Sequence, residues 1–91
     1  RAPAASLRLA AGPNPFRSAT TLRFSLATGE KVSLDVFDAA GRLVASPLHD
    51  AVLAPGEHAV EMRRSGLANG LYFARVHAGT RSASTKLLVL Q

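Results

Sequence analysis

The residues that could do chemistry in this chain are few, and their spacing does not join them into a reactive group. The histidines are His49, His58 and His77, and none stands at i, i+2 or i+4 from a second strong metal ligand. Zinc needs several nitrogen, sulfur or carboxylate ligands that converge. Calcium needs several convergent oxygens, and Asp35 and Asp38 offer too few on their predicted hairpin. The pattern therefore predicts no metal site.

Catalysis is not predicted either. Nucleophilic catalysis needs a nucleophile, a base and a group that orients the base. The chain has many serines, but none lies in a nucleophile-elbow context, and there is no glycine-rich phosphate loop. Cysteine is absent, which excludes disulfides and thiolate zinc sites. We expect a chain that is not an enzyme and needs no cofactor.

The charge is strongly basic, with a formal net charge of +5 carried almost entirely by arginine. Such a balance can indicate an anionic partner, such as nucleic acid, lipid head groups or lipopolysaccharide. Only Arg63 and Arg64 are adjacent, which favours scattered solvated cations instead. A nucleic-acid surface would also need aromatic side chains between the cations. We predict that Phe37 and Phe73 pack beneath a loop and that the other aromatics lie in the core, so we expect no nucleic-acid partner.

The elements that must position these residues are β-strands. Apolar and polar residues alternate with a period of two, as in residues 32–37, and turn residues recur every 8–12 positions. This pattern predicts an all-β fold, a seven-stranded antiparallel sandwich of immunoglobulin or fibronectin-III type. The predicted strands are residues 7–11, 20–26, 31–37, 42–45, 58–63, 71–77 and 81–90.

Three further features shape this prediction. Residues 12–15 form a stiff crossing segment because each proline fixes φ and lacks an N–H, and Phe16 then enters the core as a plug. Pro47 is expected to end the pairing of the fourth strand and leave an edge as far as residue 49. The apolar run at residues 87–90 predicts a last strand covered on both faces.

The turns carry conformational signals of their own. Asp38 can accept hydrogen bonds within its turn, and Gly41 supplies a positive φ that closes a four-residue loop. Asn69 and Gly70 favour a left-handed backbone. These turns mark the ends of the neighbouring predicted strands.

The length fits one domain, because 91 residues can bury a single core. Residues 1–5 are interpreted as the end of a linker from an upstream domain, and residues 6–91 as the folded domain. The chain begins without methionine, so we expect a piece of a longer protein whose export signal lies upstream. No apolar run approaches the ~20 residues that cross a bilayer as a helix.

Five blocks, in this order and spacing, resemble the C-terminal sorting domain of type IX secretion substrates. They also resemble the immunoglobulin-like domain of the flagellar hook-capping protein family. The blocks are residues 13–16 (PNPF), 21–26 (TLRFSL), 32–44 (VSLDVFDAAGRLV), 66–76 (GLANGLYFARV) and 86–89 (KLLV).

The resemblance implies a non-catalytic sorting domain at the C-terminus of an exported protein with an upstream catalytic or adhesive domain. An outer-membrane translocon would recognise it, and a surface sortase would remove it and attach the cargo to anionic lipopolysaccharide. The protein would reach the outer-membrane surface or the medium through the periplasm. Recognition would fall on the turn from Asp38 to Gly41, on the loop with Gly66, Asn69, Gly70 and Tyr72, and on Lys86, Leu87, Leu88, Val89, Leu90 and Gln91.

Two other functions stay open. The domain could be a structural spacer or assembly module of the hook-capping type, acting through sheet edges. It could also be a carbohydrate-binding appendage of an extracellular hydrolase, although tryptophan is absent and Tyr72 is the single tyrosine.

Overall fold

A computed structural model describes residues 7–90; the predicted linker at residues 1–5 and the predicted recognition residue Gln91 lie outside them. Within residues 7–90 no helix is long and apolar enough to cross a membrane. The secondary structure consists of strands, namely β1 (Ala10–Gly12), β2 (Ala19–Leu26), β3 (Glu30–Asp38), β4 (Leu43–Leu53), β5 (Gly56–Arg63), β6 (Gly70–Ala78) and β7 (Arg81–Val89).

The seven strands form two sheets, which confirms the predicted all-β sandwich. One sheet has the order β1-β2-β5 and the other the order β4-β3-β6-β7, and neighbouring strands are antiparallel. The first strand is shorter than predicted and starts three residues later, at Ala10, whereas β2, β3 and β6 lie within two residues of their predicted bounds.

The core lies between the sheets and is built from inward-facing residues of β2, β3, β5, β6 and β7, against which partly buried residues of β1 and β4 pack. Val32, Leu34 and Val36 of β3 are fully buried, which confirms the register predicted for that strand. Full burial of such a side chain stabilises a fold by about 1.5–3 kcal/mol. Phe16 is only 2% exposed and closes the core as predicted. The other buried apolar residues are Leu9, Leu22, Phe24, Leu26, Met62, Tyr72, Ala74, Val76, Ala78, Leu87 and Val89.

The prediction that the fourth strand ends near Ala45 is wrong, because β4 continues to Leu53. Pro47 is accommodated where the pairing with β3 shifts register: Leu34 pairs with Leu48, whereas Val36 pairs with Ala45. The extra residue on β4 is a bulge, and β4 is an edge strand. A proline is tolerated at such a position because its missing N–H interrupts no essential ladder bond.

The prediction that the last strand is covered on both faces is also wrong. Leu87 and Val89 are fully buried, but Leu88 is half-buried and Leu90 is 44% exposed. The run is apolar on both faces, but only the face that points between the sheets is enclosed. Core packing therefore does not explain why Leu88 and Leu90 are apolar.

Candidate recognition site

The three segments that the sequence marked for recognition meet at one end of the four-stranded sheet. Tyr72 of β6 pairs with Asp38 of β3 on one side and with Leu87 of β7 on the other, and Gly70 pairs with Val89. The turn after β3, the loop before β6 and the last residues of β7 are therefore neighbours. We call this end of the sandwich the Tyr72 end.

The turn from Asp38 to Gly41 is fixed by a dense set of hydrogen bonds. The Asp38 carbonyl accepts from the Gly41 N–H at 2.9 Å, and Asp38 Oδ1 accepts from the N–H groups of Ala40 and Arg42 at 3.0 and 2.9 Å. Arg42 Nε donates to Asp38 Oδ2 at 2.9 Å. Gly41 has a φ of 89°, which confirms the predicted loop closure.

These contacts also set the electrostatics of the turn. The hydrogen bond from the Arg42 backbone N–H is the main cause that lowers the pKa of Asp38, and the Arg42 guanidinium and the Ala40 N–H act in the same direction. The carboxylate is thus held charged, as is expected for an acceptor of several N–H bonds.

The loop between β5 and β6 differs from the prediction. Its left-handed residues are Ser65, with φ 44°, and Gly66, with φ 86°, and the Leu67 N–H donates to the Arg64 carbonyl at 2.9 Å. Two successive positive φ values closed by this bond are typical of a type I′ turn. Gly66 is therefore needed for backbone conformation.

The Asn69-Gly70 pair was expected to be left-handed as a unit, and only Gly70 has a positive φ, at 151°. Asn69 instead accepts a hydrogen bond through its Oδ1 from Arg64 Nη2 at 2.7 Å. Arg64 Nε also donates to the Leu67 carbonyl at 2.8 Å, so one guanidinium spans the loop. The sequence pattern missed this role because it contains no cue for a contact between side chains five residues apart in a loop.

Tyr72 anchors the loop to the core. Its side chain is only 7% exposed, and its hydroxyl donates to the Ala68 carbonyl at 2.7 Å. The ring therefore fills the sandwich while the hydroxyl satisfies a loop carbonyl, as buried tyrosines commonly do. Tyr72 fixes the site from beneath and offers little surface to a partner.

The outer edge of β7 is covered by residues 14–16, an arrangement we call the Asn14 clamp. Asn14 Nδ2 donates to the Lys86 carbonyl at 2.8 Å, and Asn14 Oδ1 accepts from the Leu88 N–H at 2.9 Å. The Phe16 N–H donates to the Leu88 carbonyl at 2.9 Å, and the Leu90 N–H donates to the Phe16 carbonyl at 3.0 Å.

Sequence reasoning missed the clamp, although a signal was present. Asn14 stands between two prolines that have no N–H, so its side chain is the main hydrogen-bonding group of that segment. Thr20 Oγ1 holds the segment from the other sheet by donating to the Pro13 carbonyl at 2.7 Å.

The arrangement is suited to binding and presents no reactive cluster within residues 7–90. Across that range, no three histidine, aspartate or glutamate side chains group so that they could hold a metal ion. His58 stacks on Phe24 with ring centroids 5.5 Å apart, and its Nε2 lies 2.8 Å from the Ala54 carbonyl. What the Tyr72 end offers is a set of well-fixed turns and an apolar strand.

The comparison with known families agrees with this geometry. Residues 12–90 match the family described as the secretion system C-terminal sorting domain. No curated protein matches the chain. The matched range includes β2 to β7 and every predicted recognition residue except Gln91. Domains of this family are non-catalytic and interact with the type IX secretion machinery, and the proteins that carry them are exported. This chain belongs to the secretion system C-terminal sorting domain family, the sorting signals of type IX secretion.

Proposed function

We propose that this domain is the C-terminal sorting signal of a multidomain protein and that the outer-membrane translocon of the type IX machinery recognises its Tyr72 end. One observation carries the proposal: strand register brings Asp38, Tyr72 and Leu87 side by side, although they are far apart in the sequence. A recognition surface made of three separate segments exists only when the domain is folded. The translocon would then recognise a folded structure.

The hydrogen bonds of the site support this role. The turn at Asp38, the loop at Arg64 and the clamp at Asn14 each hold their segment in one conformation. A surface that is ordered before binding loses less conformational entropy when a partner docks. Preorganisation of this kind suits a signal that must be recognised on many different cargo proteins.

The later steps are part of the same proposal. A surface sortase would remove the domain and attach the upstream catalytic or adhesive part to anionic lipopolysaccharide. The protein would then stay on the outer-membrane surface or enter the medium after a transient periplasmic stage. The predicted domain division, with a linker at residues 1–5, fits a signal that is separable from its cargo.

The two alternatives remain predictions that are less well supported. A hook-capping type spacer would act through sheet edges, but the edge of β7 is partly covered at Leu88, and β4 pairs irregularly with β3. A carbohydrate-binding appendage would need exposed tryptophan or tyrosine, and the single tyrosine, Tyr72, is buried.

A reporter fusion tests the proposal. Residues 1–91 are joined to the C-terminus of a periplasm-targeted fluorescent protein in a host with a type IX system and in the same host with its translocon inactivated. We expect surface or extracellular fluorescence only in the first host. Retention of a folded fusion in the periplasm of both hosts would contradict the proposal.

The matched control changes the fold and leaves the terminal strand intact. Leu34→Asp places a charge in the fully buried centre of β3 and should abolish export together with folding. Deletion of residues 86–91 is less informative because it also removes Leu87 and Val89 from the core.

A further inference from the structure

The edge of the terminal strand is not available for strand addition at the residues predicted to be recognised. Strand addition needs unpaired backbone N–H and C=O groups along an edge. The outward backbone groups of Lys86 and Leu88 in β7, and of Leu90 directly after it, are bonded to Asn14 and Phe16. A partner that added a strand here would first have to displace the Asn14 clamp.

The outer face of the four-stranded sheet, in contrast, is open and apolar at the same end. Strand register places Phe37 beside Phe73 and Leu71 beside Leu88. We call this surface the outer patch; its members are Phe37, Leu43, Leu71, Phe73, Leu88 and Leu90. Phe37 and Phe73 were expected to pack beneath a loop, but both are half-buried and on the outward side of their strands.

The patch holds three of the five large apolar residues that are exposed among the described residues. Leu43 is 57% exposed, Leu71 39% and Leu90 44%, and a shallow cleft of about 390 Å³ is lined by Phe37 and Phe73 among others. Contiguous exposed apolar surface on a small domain commonly marks an interaction site. The patch costs solubility and contributes nothing to the core, so a partner is the simplest physical reason for it.

Two cations border the patch. The Arg75 guanidinium carbon lies 5.5 Å from the centre of the Phe37 ring, and Lys86 is the register partner of Phe73. Both side chains are exposed. The Asp35 carboxylate is the register partner of Arg75, and it accepts a hydrogen bond from Ser46 Oγ of β4 at 2.8 Å, so Lys86 is the cation of the patch without a carboxylate as register partner. A partner with carboxylates around an apolar centre would complement this surface.

We propose that the type IX machinery binds the outer patch as a sheet face and does not add a strand to the edge of β7. The partner surface is a protein surface with an apolar centre and an acidic rim. This inference rests on the proposed function, and it names the surface through which that function acts. It also explains why Leu88 and Leu90 are apolar although their side chains face away from the core.

The test uses the same reporter fusion with single changes on exposed positions. Leu71→Lys and Leu90→Lys each place a charge in the patch, and Val52→Lys is the matched control. Val52 is 78% exposed on the same face, at the opposite end of the sheet. We expect Leu71→Lys and Leu90→Lys to lower export about tenfold, because a charge placed in an apolar contact has to be desolvated when the partner binds. Val52→Lys should export like the wild type, and purified domains should show that all three variants fold.

The charge of the rim is tested separately. Lys86→Glu should lower export more than Lys86→Gln, and Lys86→Arg should leave it unchanged. Equal export of the three Lys86 variants would contradict the inference that the partner surface has an acidic rim.

A further variant tests the alternative binding mode, which is strand addition to the edge of β7. Asn14→Ala frees the Leu88 N–H, so strand addition predicts higher export, whereas binding of the outer patch predicts no gain. Three results would overturn the proposal: a gain with Asn14→Ala, wild-type export of folded Leu71→Lys and Leu90→Lys, or a purified domain that dimerises through the patch. Absence of export from the wild-type fusion would instead contradict the proposed function itself.

Discussion

The two edges of the four-stranded sheet are protected in different ways. At β7, the edge near the end of the strand is bonded to residues 14–16, which act as a short extra segment of pairing. At β4, no such segment is bonded among the described residues, and the strand is irregular instead. Its pairing shifts register three times against β3, and Asp50 adopts a φ of 47°.

Side chains fasten the irregular edge. Ser46 Oγ donates to Asp35 Oδ1 at 2.8 Å, and the Asp50 N–H donates to Ser33 Oγ at 3.0 Å. These bonds attach β4 to β3 where the backbone ladder is interrupted. The bulges twist the outer backbone groups out of line, which is a known protection against pairing with other chains.

The difference shows how a terminal strand can be presented without exposing an aggregation-prone edge. An apolar strand with a free edge would pair with other copies during export. The Asn14 clamp removes that hazard at residues 86–90 and leaves the outward side chains accessible. The irregular β4 edge needs no cover because its backbone is a poor template.

The largest expected effect follows from truncation of Phe16, the buried residue of the Asn14 clamp. Phe16→Ala should lower the free energy of unfolding by about 3–5 kcal/mol, the usual cost of deleting a buried phenylalanine. Leu48→Ala on β4 is the comparison, and it should cost less because Leu48 is only partly buried. Denaturant unfolding of both purified variants measures the difference. Equal costs would mean that the β4 edge is packed as firmly as the β7 edge.

The next effect concerns the turn from which β4 starts. Gly41→Val should cost about 1–3 kcal/mol because a β-branched residue is strained at a φ of 89°. Gly12→Val is a matched control: at both positions an added Cβ meets no atom within 4 Å, but only Gly41 has a positive φ. Thermal unfolding of the two variants should therefore differ. A similar loss in both would show that space, and not backbone strain, sets the cost.

A smaller effect is expected from the clamp's polar contact. Asn14→Ala removes the two bonds to Lys86 and Leu88 and should cost about 1–2 kcal/mol, because one ordinary hydrogen bond contributes a net ~0.5–1.5 kcal/mol. Amide hydrogen exchange should become faster at Leu88. Asn69→Ala, which removes an exposed side-chain contact to Arg64, should leave the Leu88 amide unchanged. Unchanged exchange in Asn14→Ala would mean that the clamp does not protect the edge.

Most of the fold could be predicted because it depends on local patterns. Period-two alternation places Val32, Leu34 and Val36 in the core, and the turn chemistry of Asp38 and Gly41 is encoded within four residues. These signals need no information from distant parts of the chain.

The errors lie where distant segments decide the outcome. The β4 strand continues past Pro47 because it stays paired with β3 on both sides of the bulge. The local sequence does not show that this pairing partner is present. The last strand is apolar on both faces, but whether a second face is covered depends on the whole sheet arrangement. The candidate recognition residues were found as separate blocks, whereas the hydrogen bond between Asn14 and Leu88, 74 residues apart, is visible only in the structure.

The smallest expected effect is a difference between the two edges in how the stability of their variants depends on pH. Asp38 begins the turn into β4, and its lowered pKa stabilises the folded state while the carboxylate is charged. Because the folded pKa lies below the unfolded one, this stabilisation is complete at neutral pH and is lost as the pH falls below about 4. Asp38→Asn should therefore be less stable than the wild type at pH 7, and the gap should narrow towards pH 2–3. The Asn14 clamp contains no titratable side chain, so the deficit of Asn14→Ala should stay constant over the same range. A gap for Asp38→Asn that does not change with pH would mean that the Arg42 contacts act without the charge of Asp38.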